Sequence, residues 1–456
     1  MNTNTLWSLR LGFSNKESQL IEKLGFTSFL EQSFDSKIDH SLPSFLKDSP
    51  KTMIELKLVR ETIQKADEEE KKKILKKQIK DVTELRVWWL EKMQQEKFPL
   101  REKMTCFWHN HFVSTIQKVK VSYWIYQHNM VLRENAFGNF KDITKKIIQS
   151  NAMVRYLDNV DNRKGKLNEN LSRELLELFT IGIGNYTEED IKNGAKALAG
   201  LHLGDEKAMY RPRLEDNETI TYLGKTGNFK VEDLIDIIFE QKNTPYFLTE
   251  KILKWFIYDT PSSELIQYYG DYFKETNFEI KPLLLKIFTE EYPKNNKGSK
   301  IKDPLVFSLQ LLNELQIEST NKLILIQFLK QQGMELFNQP NVKGWIGGNH
   351  WLTSQIYLQR NNTVDFLSSG QNMVRIRKNE TEEKKRSPNI QFESNGNNIS
   401  IIKELTDRLL FTVDKNTQED METILKYDFN PKSESASSAV LRLFTYITKL
   451  PEFQLI

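Results

Sequence analysis

The sequence predicts a mainly α fold: one large multi-helix domain with a small β-hairpin inserted near residues 208–224. Three observations predict it. Apolar residues recur at spacings of three and four along most of the chain, the period of a helix with one buried face. In DEEEKKKILKKQIK, Glu68 precedes Lys72 and Glu69 precedes Lys73 by four, the favourable order on a solvated helix. Strand-like residues gather in two short runs, Met209 to Leu214 and Thr219 to Leu223, on either side of Glu215, Asp216, Asn217 and Glu218. That pattern reads as a hairpin with a polar turn.

The helical elements follow in order. Val82, Leu85, Trp89 and Met93 share one stripe, and Pro99 stops it. Further helices are predicted near 137–149, 169–181, 187–200, 231–240, 245–257, 302–315 and 319–331. In LNENLSRELLELFTIG, Leu171, Leu175, Leu178 and Gly182 make the buried stripe, Asn168 is a suitable N-cap, and Glu169 sits in the first turn, where the helix dipole favours an acid. This helical body is expected over residues 1–375. Residues 376–398 are charged, Asn-rich and without periodicity, as a flexible linker or loop would be. Helical patterns resume at Ile401, and residues 399–456 are too few to enclose a core, so they are expected to dock on the body.

Composition narrows the function. Lys and Arg number 65 against 62 Asp and Glu, a formal charge of +3, which gives no strong field for a polyanion and argues against nucleic acid. The single cysteine, Cys106, permits neither an intrachain disulfide nor a thiolate metal cluster. No segment reaches the roughly 20 apolar residues that span a bilayer. The first residues lack a basic stretch followed by an apolar run, so a cytoplasmic location is expected, with the periplasm as the alternative if the start codon is misassigned.

Several chemistries are excluded because their residues are missing. There is no HExxH and no GxSxG. Gly224, Lys225 and Thr226 look like the end of a phosphate loop, but Thr219 stands where that loop needs glycine, so a turn after a strand is the better reading. In FWHNHF, His109 and His111 are two residues apart, which on a helix points them about 200° apart. They cannot share one ion there; the expectation is a helix with one inward imidazole, His111, and no metal site is assigned. No cofactor is indicated.

What remains is a cluster of polar groups. Glu169, Asn170, Arg173, Glu174 and Glu177 occupy the arc opposite the Leu stripe, either as a surface ion-pair face or as the wall of a pocket. LRENAFGNF adds Arg133 and Glu134, AMVRYLDN adds Asp158, and the polar turn adds Glu215. PNVKGWIGGNHW, with glycines 344, 347 and 348 beside Trp345 and Trp351, reads as a tight loop with anchored tryptophans. The candidate pocket therefore comprises His109, Asn110, His111, Arg133, Glu134, Asp158, Asn168, Glu169, Arg173, Glu174 and Glu215. Two functions fit it. One is a binding or accessory protein with a polar groove. The other is a hydrolase, metal-assisted or not, with Glu169 or Glu174 moving protons, Arg173 clamping an anion and His109 or His111 as second base or ligand.

Taken in order, FWHNHF, LRENAFGNF, AMVRYLDN, LNENLSRELLELFTIG, YTEEDI, AKALAG, YLGKTGNF, KDPLVF and PNVKGWIGGNHW resemble the bacterial domain-of-unknown-function family 1800, from RLGFS near the start to LPEFQLI at the end. The resemblance implies a mainly α-helical protein without an assigned activity. It also implies a partner, because genes of such proteins often neighbour one with a sulfatase-like, exported product. Two positions depart from the pattern: Phe179 stands where many members have histidine, and Glu215 stands where many have the histidine of a His-Asp pair. Glu215 with Asp216 would substitute oxygen for nitrogen as a ligand.

Overall fold

The computed structural model describes residues 1–294, 296–317, 322–370 and 388–456. Among these, α-helices dominate, and the only sheets are two antiparallel strand pairs. The stripe from Val82 to Met93 lies in a 28-residue helix, Glu68–Gln95, with Leu85, Trp89 and Met93 buried. Its first half is the charged run, held to solvent by pairs such as Lys73 to Glu69 at 3.0 Å; Glu68 pairs with Lys71, three residues on, and not with Lys72. Other predicted helices fall where periodicity places them, among them Phe140–Ile148, Glu188–Leu198, Val231–Phe239, Thr244–Phe256 and Pro304–Glu314, whereas Ser122–Glu134, Ser263–Glu275 and Ile280–Glu291 are not among the expected ones. The predicted helix at 319–331 is described from Lys322 to Gln331, and residues 319–321 lie outside the described residues.

The β insertion is present, but its strands pair differently from the expected hairpin. Met209–Tyr210 pairs back with Leu201–His202, and Ile220–Tyr222 pairs forward with Lys225–Gly227. The reason is local. Leu223 and Gly224 both adopt left-handed backbone, with φ of 47° and 83°, the requirement of a two-residue hairpin turn that matches strand twist. The polar stretch 215–218 is instead a loop, in which Asp216 accepts from the Glu218 amide and Lys230 reaches Glu215 and Asn217.

The predicted helix over 169–181 divides into an α-helical part, Asn170–Glu174, and a π-helical part, Leu175–Thr180. The N-cap is Glu169, without a side-chain cap bond, and not Asn168 as expected; Asn168 stands one residue outside and accepts from the Asn170 amide at 3.0 Å, which leaves Glu169 at the cap position and not in the first turn.

Residues 376–387 of the expected linker lie outside the described residues. Just beyond, Asn389 donates to the Leu315 carbonyl and Ile390 is buried. The helices Asn398–Leu409, Lys415–Ile424 and Ala436–Thr448 follow, and Arg408 lies 2.9 Å from the Glu314 carboxylate. The last residues pair with 300–302, through Lys302 to Gln454 and Ile456 to Lys300. The buried guanidinium of Arg360 spans both segments, donating to the Lys302 carbonyl at 2.7 Å and to Gln454. Apolar side chains from both ends of the chain belong to one contiguous core.

Candidate functional site

FWHNHF closes the Leu100–His111 helix, which is buried on nearly every side, unlike an amphipathic surface helix. Consequently both imidazoles point inward, not His111 alone, and they face different neighbours. Each polar residue of the hexapeptide ties a separate part of the chain.

His109 ends a buried chain of charge. Its Nε2 accepts from Asn129 at 3.0 Å, and the Asn129 carbonyl accepts from Arg133. Arg133 grips Glu102 with two parallel bonds of 2.7 and 2.8 Å, and Trp89 Nε1 donates to the same carboxylate at 2.9 Å. Burial alone would raise the Glu102 carboxyl, but the Arg133 charge and these hydrogen bonds outweigh it and hold it below its ordinary value. Desolvation, with His128 and Arg133 nearby, keeps His109 well below the usual imidazole range. It is therefore neutral.

Asn110 holds the Gly-rich loop. Its Oδ1 accepts from the Trp345 amide at 2.6 Å, and its Nδ2 lies 3.4 Å from the Trp345 carbonyl. Gly344 is at φ 82°, and a Cβ there would fall 2.3 Å from Asn110 Oδ1 and 2.5 Å from its carbonyl oxygen. Only glycine fits so close an approach.

His111 meets the π-helix. A helix leaves its last carbonyls without internal donors. Here His111 Nε2 donates to Phe179 O at 3.0 Å and Lys251 donates to Leu178 O at 2.7 Å, with Lys251 also 3.4 Å from His111 Nδ1. The ammonium lies 4.4 Å from the Phe247 ring centre. Burial pushes Lys251 down to about 7, and it keeps His111 neutral, the nearby Lys251 charge adding to the effect. Three of the motifs singled out in the sequence thus converge at the end of one helix.

The other predicted residues stand elsewhere. Arg173 bridges Glu169 at 3.2 Å and Glu188 at 3.0 Å. Glu174 is half-buried and raised by burial and then by Glu177, with Arg173 and Lys343 opposing. Asp158 pairs with Lys118 at 2.9 Å, Glu134 with His40 at 3.1 Å and Glu215 with Lys230 at 2.9 Å. Through Asn129, His109 and Arg133 come together; neither His109 nor His111 has a carboxylate partner among the described residues. Nor is any group of three or more His, Cys, Asp and Glu there placed to hold a metal ion.

A larger recess, not anticipated from sequence, lies between the N-terminal segment, the Pro304–Glu314 helix and the Asn398–Leu409 helix. This cleft of about 1280 Å³ is rich in side-chain amides, including Asn2, Asn15, Gln19, Gln94, Gln95 and Asn313. Two acids sit in its wall. Glu17, 5% exposed, accepts from Ser8 Oγ at 3.1 Å, and burial pushes its carboxyl up to about 7. Glu314 bonds Asn15 and faces Arg408, yet burial keeps it above its ordinary value. No local pattern marks this site, since its residues come from distant parts of the chain. Lys251 did leave a signal: it falls three residues after Leu248 and four before Trp255, on that helix's buried stripe.

No helix among the described residues is long and apolar enough to cross a membrane. Comparison with curated proteins and with solved structures finds no match. One family profile, described as a protein of unknown function (DUF1800), matches residues 5–455. With that match covering essentially the whole chain, and with the motifs FWHNHF, LNENLSRELLELFTIG and PNVKGWIGGNHW packed around one helix end, the chain belongs to the DUF1800 family.

Proposed function

We propose that this chain is a binding or accessory protein whose ligand is a polar, extended segment of a partner protein, held in the amide-rich cleft. The cleft itself carries this reading. Side-chain amides offer donors and acceptors together, the property needed to pair with a backbone or a polar side chain, and a recess of this size takes several residues. Of the two acids first considered for catalysis, Glu169 is engaged by Arg173.

The resemblance supplies the partner to test, the sulfatase-like product of a neighbouring gene. Calorimetric titration of that purified protein against this chain is expected to give saturable binding. The double substitution Gln19→Arg and Gln95→Arg, at exposed positions of the cleft, is expected to weaken it about tenfold or more with no loss of melting temperature. Equal affinity for the variant would contradict the cleft as the binding surface. The pairing also needs both chains in one compartment, which cell fractionation decides between cytoplasm and periplasm.

One observation favours a hydrolase as the second reading. Glu17, held near 7 in the same cleft, is poised as a general acid at neutral pH. A screen of chromogenic esters and glycosides would support it only if Glu17→Gln abolished the activity found and left folding intact.

A further inference from the structure

The amide-rich cleft also holds more acids than cations, and one of those acids lacks a counter-cation. Glu17, Glu22, Glu314, Glu404 and Asp407 line it, against Lys16, Lys322 and Arg408. The three cations are already engaged. Lys16 Nζ donates to the Gln94 carbonyl at 3.2 Å and Lys322 Nζ to the Gln94 side-chain oxygen, while Arg408 lies 2.9 Å from Glu314 and 3.3 Å from Glu404. Asp407 pairs with Lys403, and Glu22 is exposed, where water solvates it.

Glu17 is different. It lines the cleft, is 5% exposed and forms no ion pair among the described residues. Its Oε2 accepts from the neutral Ser8 hydroxyl at 3.1 Å, and no side chain among the described residues donates to its Oε1, which is not one of the fully buried polar atoms. Lys16, the next residue, acts on it only from a distance, its ammonium being turned to Gln94. A carboxylate taken out of water needs an opposite charge or it takes up a proton. In the empty cleft Glu17 does the second: burial holds it at about 7, so about half the molecules carry it protonated at neutral pH.

We propose that the segment held in the cleft presents a lysine or arginine side chain, and that Glu17 is the carboxylate that receives it. This rests on the cleft as the binding surface and names the chemistry of what it holds. An ammonium or guanidinium supplies the missing counter-charge, and the surrounding side-chain amides pair with the rest of the segment. A carboxylate at that place would add to the acid surplus, and a neutral amide would leave Glu17 protonated. Because the cation binds the ionised form, the protonated fraction gives its proton to solvent on binding.

The test titrates the whole chain calorimetrically with capped pentapeptides of sequence Asn-Gln-X-Gln-Asn, in which X is Lys, Gln or Glu, in two buffers of different ionisation enthalpy. The Lys peptide is expected to bind at least about tenfold more tightly than the Gln peptide, and the Glu peptide more weakly than either. Binding of the Lys peptide should release about half a proton at pH 7 and be about tenfold tighter at pH 8 than at pH 6, with neither effect for the Gln peptide. Burial raises Glu314 too, so Glu17→Gln assigns the proton: that variant should bring the Lys and Gln peptides within about twofold of each other and abolish the release. If it does not fold, proton release with the Lys peptide and not with the Gln peptide on the unaltered chain still decides. Equal binding of the Lys and Gln peptides, or a Lys preference that survives Glu17→Gln, would overturn the inference and leave the cleft standing as a site for neutral segments. Failure of all three peptides to bind would overturn it together with the cleft as a peptide-binding surface.

Discussion

At the scale of single residues, the buried ion pair of Glu102 and Arg133 shows that breaking a buried pair costs more than the pair contributes. Glu102 is 2% exposed and is held by Arg133 and Trp89. Glu102→Gln leaves the Arg133 charge buried without its counterion, a change expected to destabilise the fold by about 3–5 kcal/mol. Urea unfolding at pH 7 measures it. A loss under about 1 kcal/mol would show that Arg133 finds compensation elsewhere. Sequence patterning could place Arg133 on a helix but not name Glu102 as its partner, because 31 residues separate them and only folding brings them together. The same holds for His109, whose neighbour Asn129 is 20 residues away.

At the scale of elements, periodicity recovers the helices predicted from it because one apolar face every three to four residues is what burial demands, but it does not place others such as Thr3–Leu11 and Ile280–Glu291. It recovers less where backbone chemistry decides. The strand pairing follows Leu223 and Gly224 at positive φ, and the π-helix at Leu175–Thr180 buries Leu176 and Phe179 and leaves Leu178 of the expected stripe half-buried, so neither is visible from hydrophobic spacing. The Gly-rich loop tests the local argument. Gly344→Ala places a Cβ against Asn110 in a backbone region that L residues resist, with an expected cost of about 1–3 kcal/mol. Faster amide exchange at Trp345, whose N–H bonds Asn110, should accompany it. Unchanged exchange would mean that the loop is held by other contacts.

At the scale of the whole molecule, pH reports the balance of buried titratable groups. His109, His111 and His128 have folded values below the ordinary 6.5, so the unfolded chain takes up protons that the folded chain refuses. Their stabilising effect is complete above about pH 6.5 and is lost as pH falls below it. Glu17 acts in the opposite direction: with a folded value of about 7 against 4.5, it favours folding more at pH 5.5 than at pH 7. From pH 7 to 5.5 the unaltered chain is expected to lose unfolding free energy, and Glu17→Gln to lose about 2 kcal/mol more than it. Denaturant titrations at the two pH values check both sign and order. The cleft belongs to this scale as well, since it exists only once the N-terminal segment, the Pro304–Glu314 helix and the Asn398–Leu409 helix are assembled.

The most direct measurement of the central claim is amide hydrogen exchange of this chain with and without the sulfatase-like protein. Binding in the cleft predicts new protection in residues 13–22, 93–99 and 309–316 and little change at Leu175–Thr180. Absence of binding, or protection that spares the cleft and falls on the segments around His111 and Lys251, would contradict it.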